Sequence, residues 1–406
     1  QPHLDLGFAG RQVPRQSRQG CSTRSALFDV FLQDGPAYRT VVTYRCAKVC
    51  RMSSTVPSSF PIIESLDAFP ADLKGGIVAI GNFDGVHRGH RAVLDAALGL
   101  GHGTHHPVYA MSFEPHPRTV FNPSKPVFRL TPPQQKLDLL RLCGLDGALI
   151  LPFTREFAGI EANAFVQDIL IDTLGISHAV TGYDFHFGRA RQGTPDYLRS
   201  AGADHGFGVT IVQREEDEGA EVISSTRIRD SLSRGDIAQA NSLLGYRWFF
   251  EADVRHGDKR GRDLGYPTAN MSLTEDCPLK QGIYAVKVRV DGAWHDGVAS
   301  YGRRPTFDNG AALFEVFLFD FAGDLYGKTL RVHLVSYLRG EEKFDSVEAL
   351  IAQMDRDSEE ARAALGSLQP LSELDMKLLD LSARAVLRIF SLLCRTSGLS
   401  ACRKIR

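Results

Sequence analysis

The chain has 406 residues, 43% of them hydrophobic and 23% charged, with a formal net charge of -1. That length asks for two or three domains, and the neutral balance excludes a protein that binds nucleic acid or membranes through bulk charge. No stretch approaches the roughly 18 uninterrupted apolar residues of a membrane-spanning helix, and no basic region followed by an apolar one opens the chain, so a cytoplasmic protein is expected; for its assembly the expectation is a monomer or weak homo-oligomer, which none of these features decides.

Residues 1–51 carry eight Arg/Lys against three Asp and show no sustained period. They read as a disordered basic arm or as sequence upstream of a start at Met52, within an N-terminal extension over 1–61. Cys21, Cys46, Cys50, Cys394 and Cys402 lie towards the two ends, leaving Cys143 and Cys277 in the body. Cys46 and Cys50 form a lone CxxxC, which is neither a disulfide framework nor a zinc site.

From 62 to 244 strand-like and helix-like patterns alternate. A strand at 76–81 precedes a helix near 90–99, followed by a strand at 107–113, a helix opened by a Thr131–Gln134 capping box, and a strand at 146–151. A helix near 161–175, a strand HAVTG, a helix near 195–204 and a strand GVTIVQ complete the series. This order predicts an α/β domain with a parallel sheet covered on both faces and ligands at the carboxyl ends of its strands.

The first such end reads GNFDGVHRGH, 81–90. Glycines let backbone approach an anion, and His87 and His90, three apart at a helix start, can donate to phosphoryl oxygens. Gly89 between them would leave room for a nucleotide. Read alone, the motif equally fits two histidines on a helix surface; it is not a Walker loop, and its spacing is not that of a zinc site. Three further loops sit at strand or helix ends: SFEPHP with His116, GYDFHFG with Asp184 and Phe187, and SSTRIR with Ser225, Thr226 and Arg229. In SSTRIR, hydroxyls at a helix N-terminus and a guanidinium one turn on make a second phosphate clamp.

Residues 245–368 change texture to antiparallel strands: YRWFFEADV, GIYAVKVRV, an Asp291–Gly292 turn into AWHDGVAS, ALFEVFLF and LRVHLVSYL, then one helix from Ser346 to about Leu365. A closed or nearly closed barrel leaves few exposed edges. In RHGDKRGRDLGYPTAN, a glycine-rich loop with Gly257, Lys259, Gly261 and Arg262 can cover a polyphosphate. Thr268 and Asn270, two apart on an extended segment, can offer oxygens to Mg²⁺. Glu315 shares a strand face with Leu313, Phe317 and Phe319, so it is either solvated or a partly desolvated general base.

With these motifs in this order, the chain resembles the bacterial bifunctional riboflavin kinase/FMN adenylyltransferases, the prokaryotic FAD synthetases. GRDLGYPTAN, GIYAV, YGRRPTF, FEVFLFDF with DLYG, and RGEEKFDSVEAL carry the kinase part. The resemblance implies a Rossmann-like HxGH nucleotidyltransferase domain and a six-stranded antiparallel β-barrel. It implies that Gly81, Phe83, His87, Gly89, His90, Ser225, Thr226 and Arg229 bind ATP, and that Asp84, Gly85, His116, Asp184 and Phe187 surround the flavin. In the second half it implies Thr268 and Asn270 at Mg²⁺-ATP, Glu315 as the base on the riboflavin 5′-hydroxyl, and Arg303 and Arg304 near the flavin. ATP, riboflavin and FMN are then substrates. The loop VASYGRRPTF departs from relatives that carry Asn-Ile before the glycine, placing Ser300 and Tyr301 there instead.

Two other readings stay open: another HxGH transferase, acting on a pantetheine phosphate or nicotinamide mononucleotide, and a flavin-binding regulatory protein without activity. Beyond 369, Met376, Leu379, Ala383, Val386, Phe390 and Leu393 outline an amphipathic helix that docks on the body, pairs with another chain or is accidental.

Overall fold

The computed structural model describes residues 60–255, 265–303 and 312–380. The 1–51 arm, Met52, Gly257, Lys259, Gly261, Arg262, Arg304 and the amphipathic positions from Ala383 onward lie outside them.

The first half is one parallel sheet. Its strands are β1 (Ile62–Ile63), β2 (Ile77–Ile80), β3 (Val108–Glu114), β4 (Gly147–Pro152), β5 (His178–Gly182) and β6 (Gly208–Val212), in the order β1-β4-β3-β2-β5-β6. The run IVAI of β2 is apolar throughout because both its faces are covered: Ile77 and Ala79 join one buried cluster, Val78 and Ile80 the other. Helix α1 (Arg88–Thr104) carries the chain from β2 to β3. The chain then continues to β4 and crosses back to β5 on the other side of β2, which makes the β2 end a topological switch point.

Most element expectations hold within a few residues, with two differences. Helix α3 (Pro133–Leu142), which follows the short α2 (Pro117–Phe121), is not opened by a capping box. Its N-cap is Pro132 without a side-chain bond, and Thr131 Oγ1 instead accepts the Gly85 N–H at 2.9 Å. Pro133 at the first helical position has no N–H to cap, which frees Thr131 for the loop. Near 161–175 the short α4 (Arg155–Ala158) and α5 (Ala162–Ala164) lead into a π-helical run, Phe165–Thr173. Its apolar residues reach the sheet regardless, through Phe165, Val166, Ile169 and Leu170.

After α6 (Pro195–His205), helices α7 (Ser225–Arg234) and α8 (Ile237–Leu244) close the half; α8 had no sequence expectation. Both end at glycines in the left-handed region, Gly235 at φ 76° and Gly245 at φ 69°.

The second half is an antiparallel sheet of β7 (Phe249–Asp253), β8 (Thr268–Ser272), β9 (Gly282–Val290), β10 (Ala293–Arg303), β11 (Ala312–Leu318) and β12 (Thr329–Arg339), in the order β7-β12-β9-β10-β11-β8. It curls into a half-barrel whose two edge strands approach, and the Arg255 N–H reaches the Asn270 carbonyl at 2.8 Å. Helix α9 (Val347–Gly366) packs on β9, β10 and β12, capped as expected by Ser346. The last helix among the described residues, α10 (Glu373–Leu378), follows.

No flexible linker separates the halves. One apolar cluster contains Leu94 of α1, Leu139 of α3, Tyr246, Trp248 and Val332 of β12. Buried Asn241 donates to the Leu334 carbonyl at 3.0 Å and accepts the Trp248 N–H at 2.8 Å. Among the described residues no helix is long and apolar enough to cross a membrane.

Candidate active sites

At the end of β2 the chain turns through left-handed backbone at Phe83 (φ 49°), Gly85 (φ 88°) and Val86 (φ 37°). Only glycine fits at 85, because a Cβ there would stand 2.9 Å from Leu130 as well. The loop is pinned from three directions. Lys136 Nζ and Ser112 Oγ donate to the Asn82 carbonyl at 3.2 and 2.9 Å. The Ser225 hydroxyl donates to the Asp84 carbonyl at 2.9 Å, and the buried Tyr246 hydroxyl donates to the Gly85 carbonyl at 2.7 Å. The Asp84 carboxylate is buried, ion-paired with Arg229, and accepts the Thr131 N–H at 3.2 Å.

This loop delivers the two histidines as a stack, with ring centroids 3.6 Å apart and planes 14° apart. His87 is the N-cap of α1: its Nδ1 accepts the His90 N–H at 3.2 Å, which leaves its proton on Nε2. Burial, then the Arg91 and Arg229 guanidiniums, push the His87 pKa down to about 3. Burial also holds His90 well below the ordinary histidine value, followed by His87 and Lys136. Two neutral imidazoles at a helix N-terminus donate hydrogen bonds without adding a buried charge. The Phe83 ring meets His90 edge-on at 5.4 Å. A Cβ on Gly89 would press on the His87 ring at 3.3 Å, so this glycine makes room for the imidazole; one on Gly81 would meet the Phe83 ring at 3.2 Å.

The other expected residues fall into two groups. His116 caps α2 by accepting the Arg118 N–H at 3.2 Å, and its pKa is brought to about 4 by burial, then by Arg229, Lys136 and Arg118. Its charged neighbours are thus partly those of the histidine stack. Ser225 and the exposed Thr226 open α7, and Arg229 lies one turn on, with Nε donating to the Phe128 carbonyl at 2.7 Å. Asp184 is exposed in the turn after β5. Phe187 is buried on the opposite sheet face, 5.0 Å from Phe165 and stacked on Phe185 at 5.5 Å.

Sequence reading missed Lys136 and Tyr246, which hold the loop, and gave Thr131 to a helix cap instead. Lys136 had a signal, a charge on the face of α3 that buries Leu139 and Leu140. It donates to Asn82 O and Ser112 Oγ, both at 3.2 Å, and pairs with Glu114 at 2.6 Å.

The second site is a cavity of about 290 Å³ between the half-barrel and α9, containing Thr268 and Glu315. Strand register sets its floor: Glu315 pairs with Ser300, Ser300 with Ile283, and Ile283 with Arg339, all of them lining the cavity, and Asn270 pairs with Glu315 from the far side. Directly paired residues leave a sheet on the same side, so these five form one row. Phe314, Val316 and Leu318 enter the core instead, so Glu315 lies on the cavity face of β11. Asn270 Oδ1 is buried and accepts no hydrogen bond among the described residues. Arg339 pairs with Asp357 of α9 through two bonds of 2.7 and 2.6 Å, and the Tyr266 hydroxyl donates to Asp355. These bonds hold an apolar roof of Phe344, Leu350 and Met354 over the row, a slot suited to a flat ring. Tyr301 turns into the core, and Arg303 is exposed at the strand end.

Known proteins match both halves. The sequence model of the family described as FAD synthetase matches residues 69–227, and that of riboflavin kinase matches 244–365. The bifunctional riboflavin kinase/FMN adenylyltransferase of Escherichia coli K12 is 40% identical over 301 residues, 74% of this chain and 96% of its own. Its namesake from Listeria monocytogenes is 38% identical over 72% of this chain and 93% of its own. A solved structure from Streptococcus pneumoniae, titled a macrolide-efflux protein, superposes with a TM-score of 0.69 at 31% identity, covering 75% of this chain and 98% of its own. That span exceeds either half alone, so the backbone arrangement of both is shared.

Proposed function

The chain belongs to the bifunctional riboflavin kinase/FMN adenylyltransferase family, and we propose that its two sites divide that chemistry between the residues described above. The half-barrel phosphorylates riboflavin to FMN, and the α/β half transfers an adenylyl group from ATP to FMN, giving FAD and pyrophosphate.

In the half-barrel the slot under α9 receives the isoalloxazine ring. Glu315 takes the proton of the 5′-hydroxyl as that oxygen bonds to the γ-phosphorus of ATP and ADP departs. Thr268 and Asn270 fit a hard cation, since the enclosed Asn270 Oδ1 is an oxygen acceptor that meets no hydrogen-bond donor among the described residues. Mg²⁺ held there would supply positive charge against the phosphates. Register keeps Asn270 beside Glu315, so the proton acceptor and the cation ligands stay together.

In the α/β half a phosphate oxygen of FMN bonds to the α-phosphorus of ATP, and the bond to pyrophosphate breaks. No covalent intermediate with the protein is needed. His87 and His90 donate to the phosphoryl oxygens where charge develops. Ser225 and Thr226 offer the α7 N-terminus to the leaving pyrophosphate. Arg229, already paired with Asp84, fixes the loop and supplies positive charge behind it.

The observation that carries this reading is the row Asn270–Glu315–Ser300 on the cavity face. An HxGH transferase acting on pantetheine phosphate or nicotinamide mononucleotide would not require it. The test is incubation of the purified protein with riboflavin, ATP and Mg²⁺, followed by chromatography. FMN and FAD are both expected. FMN alone would remove the account of the α/β half, and neither product would remove both.

A further inference from the structure

The segment after α9 lies beyond both family matches, which end at 227 and 365. It bonds to both halves, to Arg91 and Leu142 of the first and to Gly245, Arg247 and Arg289 of the second. Leu374 and Leu378 of α10 are buried in the apolar cluster that contains Val93 and Leu94 of α1. Lys377 Nζ donates to the Leu142 carbonyl at the end of α3, at 3.3 Å. Asp375, fully buried, is ion-paired with Arg247 and accepts the Arg247 N–H at 3.1 Å and the Leu371 N–H at 3.0 Å. Arg247 in turn donates to the Gln369 carbonyl at 2.7 Å.

Ser372 is the centre of this contact. Its hydroxyl donates to the Gly245 carbonyl at 2.6 Å and accepts Arg91 Nη1 at 3.0 Å and the Asp375 N–H at 3.3 Å. One donor and two acceptor positions exhaust what a serine hydroxyl can do. Arg91 directly follows His90 in α1, and its guanidinium lies so close to Gly245 that a Cβ there would collide with it. Between Gly245 and Arg247 stands Tyr246, whose hydroxyl supports the Gly85 carbonyl. Two short routes therefore run from this segment to the histidine stack, one through Arg91 and one through the 245–247 turn.

We propose that residues 369–380 form a clasp that sets the adenylyltransferase site, with Ser372 as the positioning residue that holds Arg91 beside His87 and His90 and holds the turn beneath their loop. This rests on the adenylyltransferase reading of that site. Arg91 is also among the groups that keep His87 neutral.

Both activities reside in one molecule, so their ratio separates a positioning role from general loss of structure. In the full-length protein, Ser372→Ala is expected to lower kcat/KM for FAD formation from FMN and ATP by roughly ten- to a hundred-fold. It should shift the pH profile of that reaction and leave riboflavin phosphorylation at the wild-type rate. Ser372→Thr, which keeps the hydroxyl, should restore adenylyl transfer. Arg91→Lys, which keeps the charge and loses the fork, should repeat the selective loss. Equal loss of both activities in step with Tm, or no change in their ratio, overturns the clasp. A wild-type protein that makes FMN and no FAD overturns the adenylyltransferase reading instead.

Discussion

Asn270 and Glu315 stand directly opposite each other on β8 and β11, so the side chains of two segments far apart in sequence leave the sheet on one face. Alternation along LFEVFLF had put Glu315 on a face with Leu313 and Phe317 without saying what that face meets. In the folded chain the cavity lies there, and Phe314 and Val316 line the core behind it.

Glu315→Gln is expected to lower riboflavin phosphorylation by about 10²- to 10⁴-fold, the range of general-base catalysis. FAD formation from supplied FMN should be unaffected. Normal phosphorylation by this variant in a coupled ADP assay would remove Glu315 as the base.

His90→Ala should reduce FAD formation from FMN by about 10²-fold or more, the scale of losing one transition-state donor. Its kinase rate should stay at the wild-type level. Steady-state rates at saturating FMN decide this, and wild-type turnover would rule out His90 as a donor to the phosphates.

Lys136→Met removes the ammonium that joins Asn82, Ser112 and Glu114. The pair is largely enclosed, with side-chain exposures of 4% and 16%. Glu114 keeps a second partner in Arg129 at 2.7 Å, so the loss should be that of charge-assisted hydrogen bonds, roughly 1.5–3 kcal/mol, together with a loss of adenylyl transfer as the loop loosens. Adding Glu114→Gln should recover part of the stability in a denaturation double-mutant cycle. If the two changes are additive, Glu114 is not the partner that matters.

His333 of β12 is fully buried and stacked 4.7 Å from Phe249. Burial, then Arg331, Arg247 and Arg289, hold its pKa well below 6.5. Between that value and its folded pKa the unfolded chain binds a proton that the folded chain does not, so stability falls as pH falls. His333→Phe should therefore reduce the stability lost between pH 6.5 and 5 by up to roughly 2 kcal/mol. Urea unfolding at both pH values measures this, and identical acid losses in the two proteins would contradict it.

How much could be read in advance differed by region. The elements around β2, β5 and α9 were legible because period and capping are local: IVAI is apolar on both faces, and Ser346 caps the helix it precedes. The histidine pair was legible for the same reason, since positions three apart at a helix start share a face. Thr131 was misread because a Thr three residues before Gln has the same local pattern whether its hydroxyl caps a helix or bonds a loop 46 residues away.

By itself the sequence determined which groups could do chemistry: imidazoles at a strand end, oxygens two apart on a strand, an acid among apolar neighbours. These follow from residue type and a repeat of two or about 3.6 positions. Tertiary structure alone decided what holds them. Lys136 under Asn82, Tyr246 under Gly85 and Ser372 between Arg91 and Gly245 are bonds between distant segments. Only packing decides that such donors and acceptors, once shut away from water, must satisfy one another.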